Sequence, residues 1–443
     1  MPDHALSSDP AVQAQLDRLW SLSPGADVLG LDRITRLLAR LGDPHHHLPP
    51  VLHVAGTNGK GSTCAFLRAA LEAAGHEVHV YSSPHLVRFN ERIRLAGRLI
   101  DDAQLATLME EVLDQADGIN ASFFEITTAA AFLAFARTPA HACIIEVGLG
   151  GRLDATNVLT DPAATGIAAL GVDHQAFLGD NAVQIAREKA GIAKPGRPLV
   201  TLAYSDPIAA AVADVARDSG APVIAAETNW RFASHPDRIA YTDAQGSLDL
   251  PLPTLPGRHQ HANLALAIAM LRHQDRIAVP DSALQTAATT VHWPARMQRL
   301  RPGPLTALLP NGAEIWLDGG HNQDAAAAIA PAIAERASGR PLHLVLGLLA
   351  NKDMAGVLRH LAPVATTLTA VPVPDHAHHA PADLAQAALD AGVRATATAP
   401  DVSAALAGIA RRADPRGAPP VVLIAGSLYL AGAVLSGNDE PPD

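Results

Sequence analysis

At 443 residues the chain is too long for one hydrophobic core, so two domains of unequal size are expected. Hydrophobic residues at 48% and charged residues at 17% describe a folded soluble protein, and a net charge of −11 argues against nucleic acid or an anionic membrane as the main partner. Two cysteines, Cys64 and Cys143, both inside apolar stretches, argue against a disulfide framework or a zinc cluster.

No apolar run is long enough to span a bilayer, and MPDHALSSDP lacks the basic, apolar and small-residue zones of a signal peptide, so a cytoplasmic location is expected. Of 33 basic residues only four are lysines: Lys60, Lys189, Lys194 and Lys352. Where charge alone is needed arginine serves, so a retained lysine is a candidate for point contact with phosphate or for reaction as a free amine. Genomic bias with four leftovers is the competing reading.

The chain opens with Leu16, Leu19 and Trp20, then Ile34, Leu37, Leu38 and Leu41, at helical spacing. GDPHHHLPP follows; three adjacent histidines, His45 to His47, cannot share one helix face, so a solvated loop is expected. Residues 51–55 read as a buried strand, Gly56, Gly59 and Gly61 open a loop, and an Ala/Leu-rich helix with Phe66, Leu67 and Leu71 on its core face leaves through Ser62. Strand, glycine loop and helix make a phosphate cradle: backbone N–H groups face the anion and Lys60 reaches its terminal oxygens. The spacing is not that of the common P-loop, because Val54 stands where its first glycine would be and Gly61 separates Lys60 from the hydroxyls of Ser62 and Thr63.

Residues 77–81 form the next strand and deliver Ser82, Ser83, Pro84 and His85. Ser122 and Glu125 have the spacing of a capping box on the following apolar helix, and a ligand role for Glu125 stands beside that reading. Residues 143–147 are an apolar strand interrupted only by Glu146, a placement that is costly unless the carboxylate meets a cation, most simply the Mg²⁺ of a nucleotide. Residues 165–170 repeat the device and end at Asp173-His174. In open α/β sheets ligands bind beyond the carboxyl ends of strands, which would gather Lys60, Ser83, Glu146 and His174 in one crevice. Residues 185–192 form a short helix carrying Lys189, and residues 198–250 alternate strand and helix. Asn263 lies in a helix start, and Trp293-Pro294-Ala295-Arg296 reads as the domain joint. Strands then lead into Asp318-Gly319-Gly320-His321-Asn322, Gly347, and Gly426-Ser427, a second and smaller parallel sheet.

In this order GTNGKGS, YSSPHL, FNERI, EVGLGGRLDATN, REKAGI, DGGHN and GSLYL resemble the Mur ligase superfamily, and GLGGRLDATN resembles its dihydrofolate synthase/folylpolyglutamate synthase branch. The resemblance spans most of the chain. It implies a larger P-loop-type, mostly parallel α/β domain over residues 1–295 and a smaller Rossmann-like α/β domain over 296–443. It also implies an ATP- and Mg²⁺-dependent ligase that joins L-glutamate to dihydropteroate, to tetrahydrofolate, or to both, through an acyl phosphate; another Mur-type amino-acid ligase is the alternative. A monomer is the family-like state.

Residue by residue, Thr57, Asn58, Gly59, Lys60, Gly61 and Ser62 resemble the ATP phosphate site, with Asn263, Arg296 and Asp318 as further nucleotide contacts. Ser83, Glu146 and His174 resemble magnesium ligands. Lys189 resembles the lysine that becomes carbamylated in this superfamily, and His321 is a candidate for deprotonating the incoming amine. Phe124, Glu125, Arg152, Leu153 and Asp154 resemble the pterin-binding loops. Three positions depart from the family: Gly320 replaces an alanine, Gln323 a proline, and Ala295 the glycine before the joint arginine, which puts the local turn geometry in question. His376, His378 and His379 have no counterpart; an exposed loop is expected there, with a contact to substrate glutamate as the second reading.

Overall fold

The computed structural model describes residues 7–22 and 29–443; residues 1–6 of the N-terminal reading and 23–28 of the helical lead-in lie outside the described residues. Two compact units emerge, one of residues 7–22, 29–254 and 260–292 with Asp443, the other of residues 255–259 and 293–442.

The first unit contains β1 (Val51–Ala55), β2 (Val78–Tyr81), β3 (Ile93–Leu95), β4 (Arg98–Leu99), β5 (Ala142–Glu146), β6 (Ala164–Ile167), β7 (Leu199–Thr201) and β8 (Val223–Ala225). They form one sheet in the order β4-β3-β2-β5-β1-β6-β7-β8, parallel from β2 to β8 with an antiparallel edge at β3 and β4. Every residue of β1, β2, β5 and β6 is buried, as a parallel sheet covered on both faces requires. β1 sits at the centre, with Val54 beside Glu146 of β5 and Ala55 beside Ile167 of β6. The loops that follow these strands therefore start within one or two strand spacings of each other.

On one face, helices Pro10–Leu22, Asp32–Arg40, Asp102–Gln115 and Phe123–Arg137 share a core that includes Leu16, Leu37, Met109 and Phe132. Further along the same face, where Ala55 continues the row of Val51 and His53, helix Ala182–Ala190 places Ala186 and Ala190 against Ala55, Val147 and Ile167. The apolar helix Phe123–Arg137 starts as expected, with Ser122 Oγ accepting the Glu125 N–H and Glu125 returning to the Ser122 N–H.

The expected alternation over 198–250 holds for β7, helix Asp206–Ser219 and β8, then gives way to an antiparallel meander of β9 (Trp230–Ser234), β10 (Arg238–Asp243) and β11 (Gly246–Pro251). Ile239 and Tyr241 point inward while neighbours alternate outward, and Gly246, at φ 119°, pairs with Asp243 to close a tight turn. The second unit holds β12 (Gln298–Arg299), β13 (Glu314–Leu317), β14 (Leu342–Leu346), β15 (Thr367–Ala370), β16 (Thr396–Thr398) and β17 (Val421–Ala425), ordered β12-β13-β17-β14-β15-β16. All pairs are parallel except the β12 edge.

The loop expected at His45 to His47 contains a single turn of 3₁₀ helix, Pro44–His46, with Pro44 setting φ at its first position; His46 and His47 are exposed and His45 is half-buried. One histidine reading needs correction. His376, His378 and His379 do lie between β15 and helix Pro381–Asp390, but half-buried rather than exposed: His376 stacks on Tyr429 at 3.7 Å and His379 Nε2 lies 2.8 Å from the Lys352 carbonyl. Among the described residues no helix is long and apolar enough to cross a membrane.

Phe132 is fully buried at the centre of the helical face of the large sheet. Phe132→Ala is expected to destabilise the first unit by about 3–5 kcal/mol, read as a fall in its urea midpoint.

Candidate functional site

β1 ends at Ala55 and the loop from Gly56 to Gly59 turns the chain into helix Lys60–Ala73. Thr57 N–H and Asn58 N–H both donate to the Ala169 carbonyl, at 2.8 and 3.1 Å, which ties the loop to the segment after β6. Gly59 caps the helix at φ 84°, a conformation a side chain resists, and a Cβ there would also strike Asn263 Oδ1 at 2.4 Å. Asn263, distant in sequence, thus packs on the loop. Its amide donates to Gln260 Oε1 at 3.0 Å, which orients the carboxamide. Lys60 and Ser62 occupy the first turn of the helix, where N–H groups lack intrahelical partners and favour an anion.

The ends of β2 and β5 meet beside this loop. Ser83 N–H points to Glu146 Oε2 at 3.4 Å, and Glu146 is 4% exposed. The thiol of Cys64, one turn into the helix, feels both the Glu146 carboxylate and the Lys60 ammonium, so carboxylate and lysine flank the same helix start. A hydroxyl, a carboxylate and an imidazole suit Mg²⁺ or Mn²⁺. The buried Glu146 at a strand end satisfies the first demand of such a set. His174 lies on the exposed loop after β6, at φ 53°, with its N–H donating to Asp173 Oδ1.

Lys189 is 4% exposed and donates from Nζ to the Gly56 carbonyl at 2.9 Å. Burial, aided by the nearby Lys60 charge, pulls its amine down to about 7, against the opposing pull of Asp173 and Asp154. The backbone of the same residue braces the loop after β5. A Cβ on Gly151 would lie 2.8 Å from the Glu188 carbonyl and 2.9 Å from that of Lys189, so only glycine allows the two segments to close. Arg152 N–H then donates to the Glu188 carbonyl at 2.7 Å, and its guanidinium pairs with Glu188 Oε1 at 2.9 Å in a largely exposed contact.

Asp154 is buried and caps a 3₁₀ turn, Ala155–Val158: Oδ1 accepts the Thr156 N–H and hydroxyl, at 3.0 and 2.5 Å, and Oδ2 accepts the Leu149 N–H at 2.8 Å. Burial raises its carboxyl above the usual range while these bonds oppose the rise. Thr156 Oγ1 also lies 2.9 Å from Nε2 of His53 in β1. Complete burial holds His53 down to about 3, so it is neutral. With Asp154 ionised, the Thr156 hydroxyl donates to it and accepts from His53, which places the imidazole proton on Nε2. Leu153 lies within this ordered loop.

The Phe124 ring occupies the space a Cβ on Gly148 would need, 2.3 Å from its nearest atom, so the aromatic covers the start of the same loop. Glu125 Oε2 takes the Ser122 N–H at 2.7 Å and Arg33 Nε at 2.9 Å, while Oε1 is buried without a hydrogen-bond partner. The capping reading therefore holds and leaves one oxygen able to accept from a ligand.

Three candidates belong to the second unit. Asp318 is buried after β13, accepting the Met297 N–H on Oδ2 at 2.8 Å and the Gly320 N–H on Oδ1 at 2.7 Å. Arg296 Nη1 donates to the Ala295 carbonyl at 2.9 Å, and His321 Nδ1 lies 3.0 Å from the Gly319 carbonyl. Ala295 adopts φ 55°, so the alanine at the family's glycine position keeps the left-handed turn. A Cβ on Gly320 would meet Ile329 Cδ1 at 2.4 Å, so the missing methyl is offset by that neighbour. His259 went unnoticed in sequence: it is half-buried, and desolvation lowers its pKa, with Asp318 opposing that shift and Arg296 adding to it. A single histidine among the run Arg258 to His261 carries no signal that would single it out.

The Mur ligase middle domain matches residues 54–271, and the Mur ligase glutamate ligase domain matches residues 296–428. The dihydrofolate synthase/folylpolyglutamate synthase of Escherichia coli K12 is 35% identical over 337 residues, 76% of each chain. A probable bifunctional folylpolyglutamate synthase/dihydropteroate synthase of Halobacterium salinarum is 35% identical over 415 residues, and the chain spans 48% of that protein's length. Among solved structures, E. coli FolC in complex with DHPP and ADP superposes with a TM-score of 0.85 at 31% identity, covering 97% of both chains. A bifunctional folylpolyglutamate synthase/dihydrofolate synthase with Mn, AMPPNP and L-glutamate gives 0.84 at 31%, covering 97% of this chain and 99% of that one. With these matches running through both sheets and through the loops just described, the chain belongs to the dihydrofolate synthase/folylpolyglutamate synthase family of Mur ligases.

Proposed function

We propose that this chain ligates L-glutamate to both dihydropteroate and tetrahydrofolate at the expense of ATP, acting as a cytoplasmic monomer without nucleic-acid or membrane partners. The observation that carries the reading is that Lys189 touches both working loops, its amine on Gly56 and its carbonyl against Gly151. Nucleotide and acceptor sites are thereby set from one helix. The division into an ATP-binding domain, residues 1–295, and a ligase domain, residues 296–443, is part of this proposal.

The acceptor carboxylate attacks the γ-phosphorus of ATP, ADP leaves, and the amine of L-glutamate attacks the acyl phosphate with loss of inorganic phosphate. Catalysis of the first step is mostly positioning and charge stabilisation. Residues 57–62 hold the phosphates, with Lys60 meeting the developing charge; Asn263, Arg296 and Asp318 contact the nucleotide. Ser83, Glu146 and His174 would hold Mg²⁺, which when bound would supply neutralisation of phosphate charge. Phe124, Glu125, Arg152, Leu153 and Asp154 bind the pterin, and His321 takes a proton from the glutamate ammonium. The Lys189 amine, half neutral near pH 7, is suited to reaction with CO₂, and the resulting carbamate turns a buried cation into an anion that can meet the metal.

The direct test is ADP release with ATP, Mg²⁺ and L-glutamate, run in parallel with dihydropteroate and with tetrahydrofolate. Turnover with both is expected; turnover with one alone restricts the activity, and turnover with neither refutes the reading. Lys60→Ala and Glu146→Ala are each expected to lower kcat by at least about a hundredfold with an unchanged circular dichroism spectrum. Because carbamate forms from the neutral amine, ¹³C-bicarbonate is expected to give a carbamate NMR signal that grows as pH rises through about 7 and is absent in Lys189→Arg. Thr156→Val, which breaks the His53–Asp154 link, is expected to raise the acceptor KM about tenfold with the ATP KM unchanged, and Thr156→Ser to restore it.

A further inference from the structure

We propose that Asp43, His45 and His46 form a binding site for a transition-metal dication such as Zn²⁺, separate from the nucleotide's metal. One donor atom from each of the three lies within 4.8 Å of the others, in the turn that leads into β1. Two imidazoles and a carboxylate form a donor set that selects Zn²⁺, Co²⁺ or Ni²⁺ over Mg²⁺ and Ca²⁺, which prefer oxygen.

Each donor is held back from the use a turn ordinarily makes of it. Asp43 is the N-cap of Pro44–His46, yet its side chain accepts no capping bond, and its backbone takes the left-handed φ of 53°. His45 Nδ1 is shielded from solvent without a hydrogen-bond partner. The His45 and His46 rings lie close together, 3.9 Å between centroids with their planes tilted by 38°, an arrangement that two cations would not adopt. Tetrahedral bonds of about 2.0–2.1 Å set ligand atoms about 3.3 Å apart, so donors that lie within 4.8 Å of one another need draw in by no more than about 1.5 Å. A partly exposed turn can make that shift, and water completes the coordination shell.

The test is a Co²⁺ titration of the full chain, freed of any affinity tag, in a large excess of Mg²⁺ so that the nucleotide's metal site is filled. One equivalent is expected to bind with a visible d–d absorption band, weakened at least about tenfold in His45→Ala and in Asp43→Asn and unchanged in His378→Ala. Zn²⁺ is expected to displace Co²⁺ and to raise the thermal midpoint of the wild-type chain but not of the two variants. No saturable Co²⁺ binding, or binding that both variants retain at wild-type strength, overturns the proposal. The metal-free midpoints of the variants, expected to equal wild type, separate loss of ligation from loss of folding.

Discussion

The bond from the Lys189 amine to the Gly56 carbonyl is the contact on which the rest of the site turns. An amine buried that deeply is expensive to keep charged, so the fold must either surround it with acceptors or let it go neutral. Here it has one close carbonyl, the fields of Asp173 and Asp154, and a like charge at Lys60. That near-balance keeps the group titratable close to neutrality. Arginine could not stand in, since its guanidinium stays protonated.

Around that contact the large sheet does the placing. Because β1 runs between β5 and β6, the loop of residues 56–59, the carboxylate of Glu146 and the segment carrying Ala169 begin at adjacent strand ends. The loop of residues 148–154 is then held from three sides: by the Phe124 ring over Gly148, by the carbonyls of Glu188 and Lys189 against Gly151, and by the Asp154–Thr156–His53 chain. The last of these anchors an irregular loop to the central strand. The fully buried imidazole of His53, held down to about 3, stays neutral at that anchor.

Much of this was legible in the residues. The apolar runs of β1, β5, β14 and β17, the capping pair Ser122 and Glu125, and the lysine at the helix start all announce themselves by local pattern. What stayed hidden depends on partners far apart in the chain. Asn263 gives no local sign that it will lie against Gly59, and His53 looks like an odd residue in an apolar strand until Thr156 reaches it. The meander of β9 to β11 was hidden for another reason: its strands are half exposed, so their period-2 pattern is diluted by polar residues on the outer face. At Ala295 the residue type misleads, because the backbone keeps a left-handed turn that alanine resists.

None of the chain's four lysines is exposed: Lys189 is buried, and Lys60, Lys194 and Lys352 are half-buried. The outer surface carries its positive charge almost wholly on arginine. An acylating reagent or an amine-directed cross-linker would therefore meet side-chain amines only where the fold has partly enclosed them, so the accessible amine inventory of this protein is an inventory of sheltered positions, two of them at its working loops.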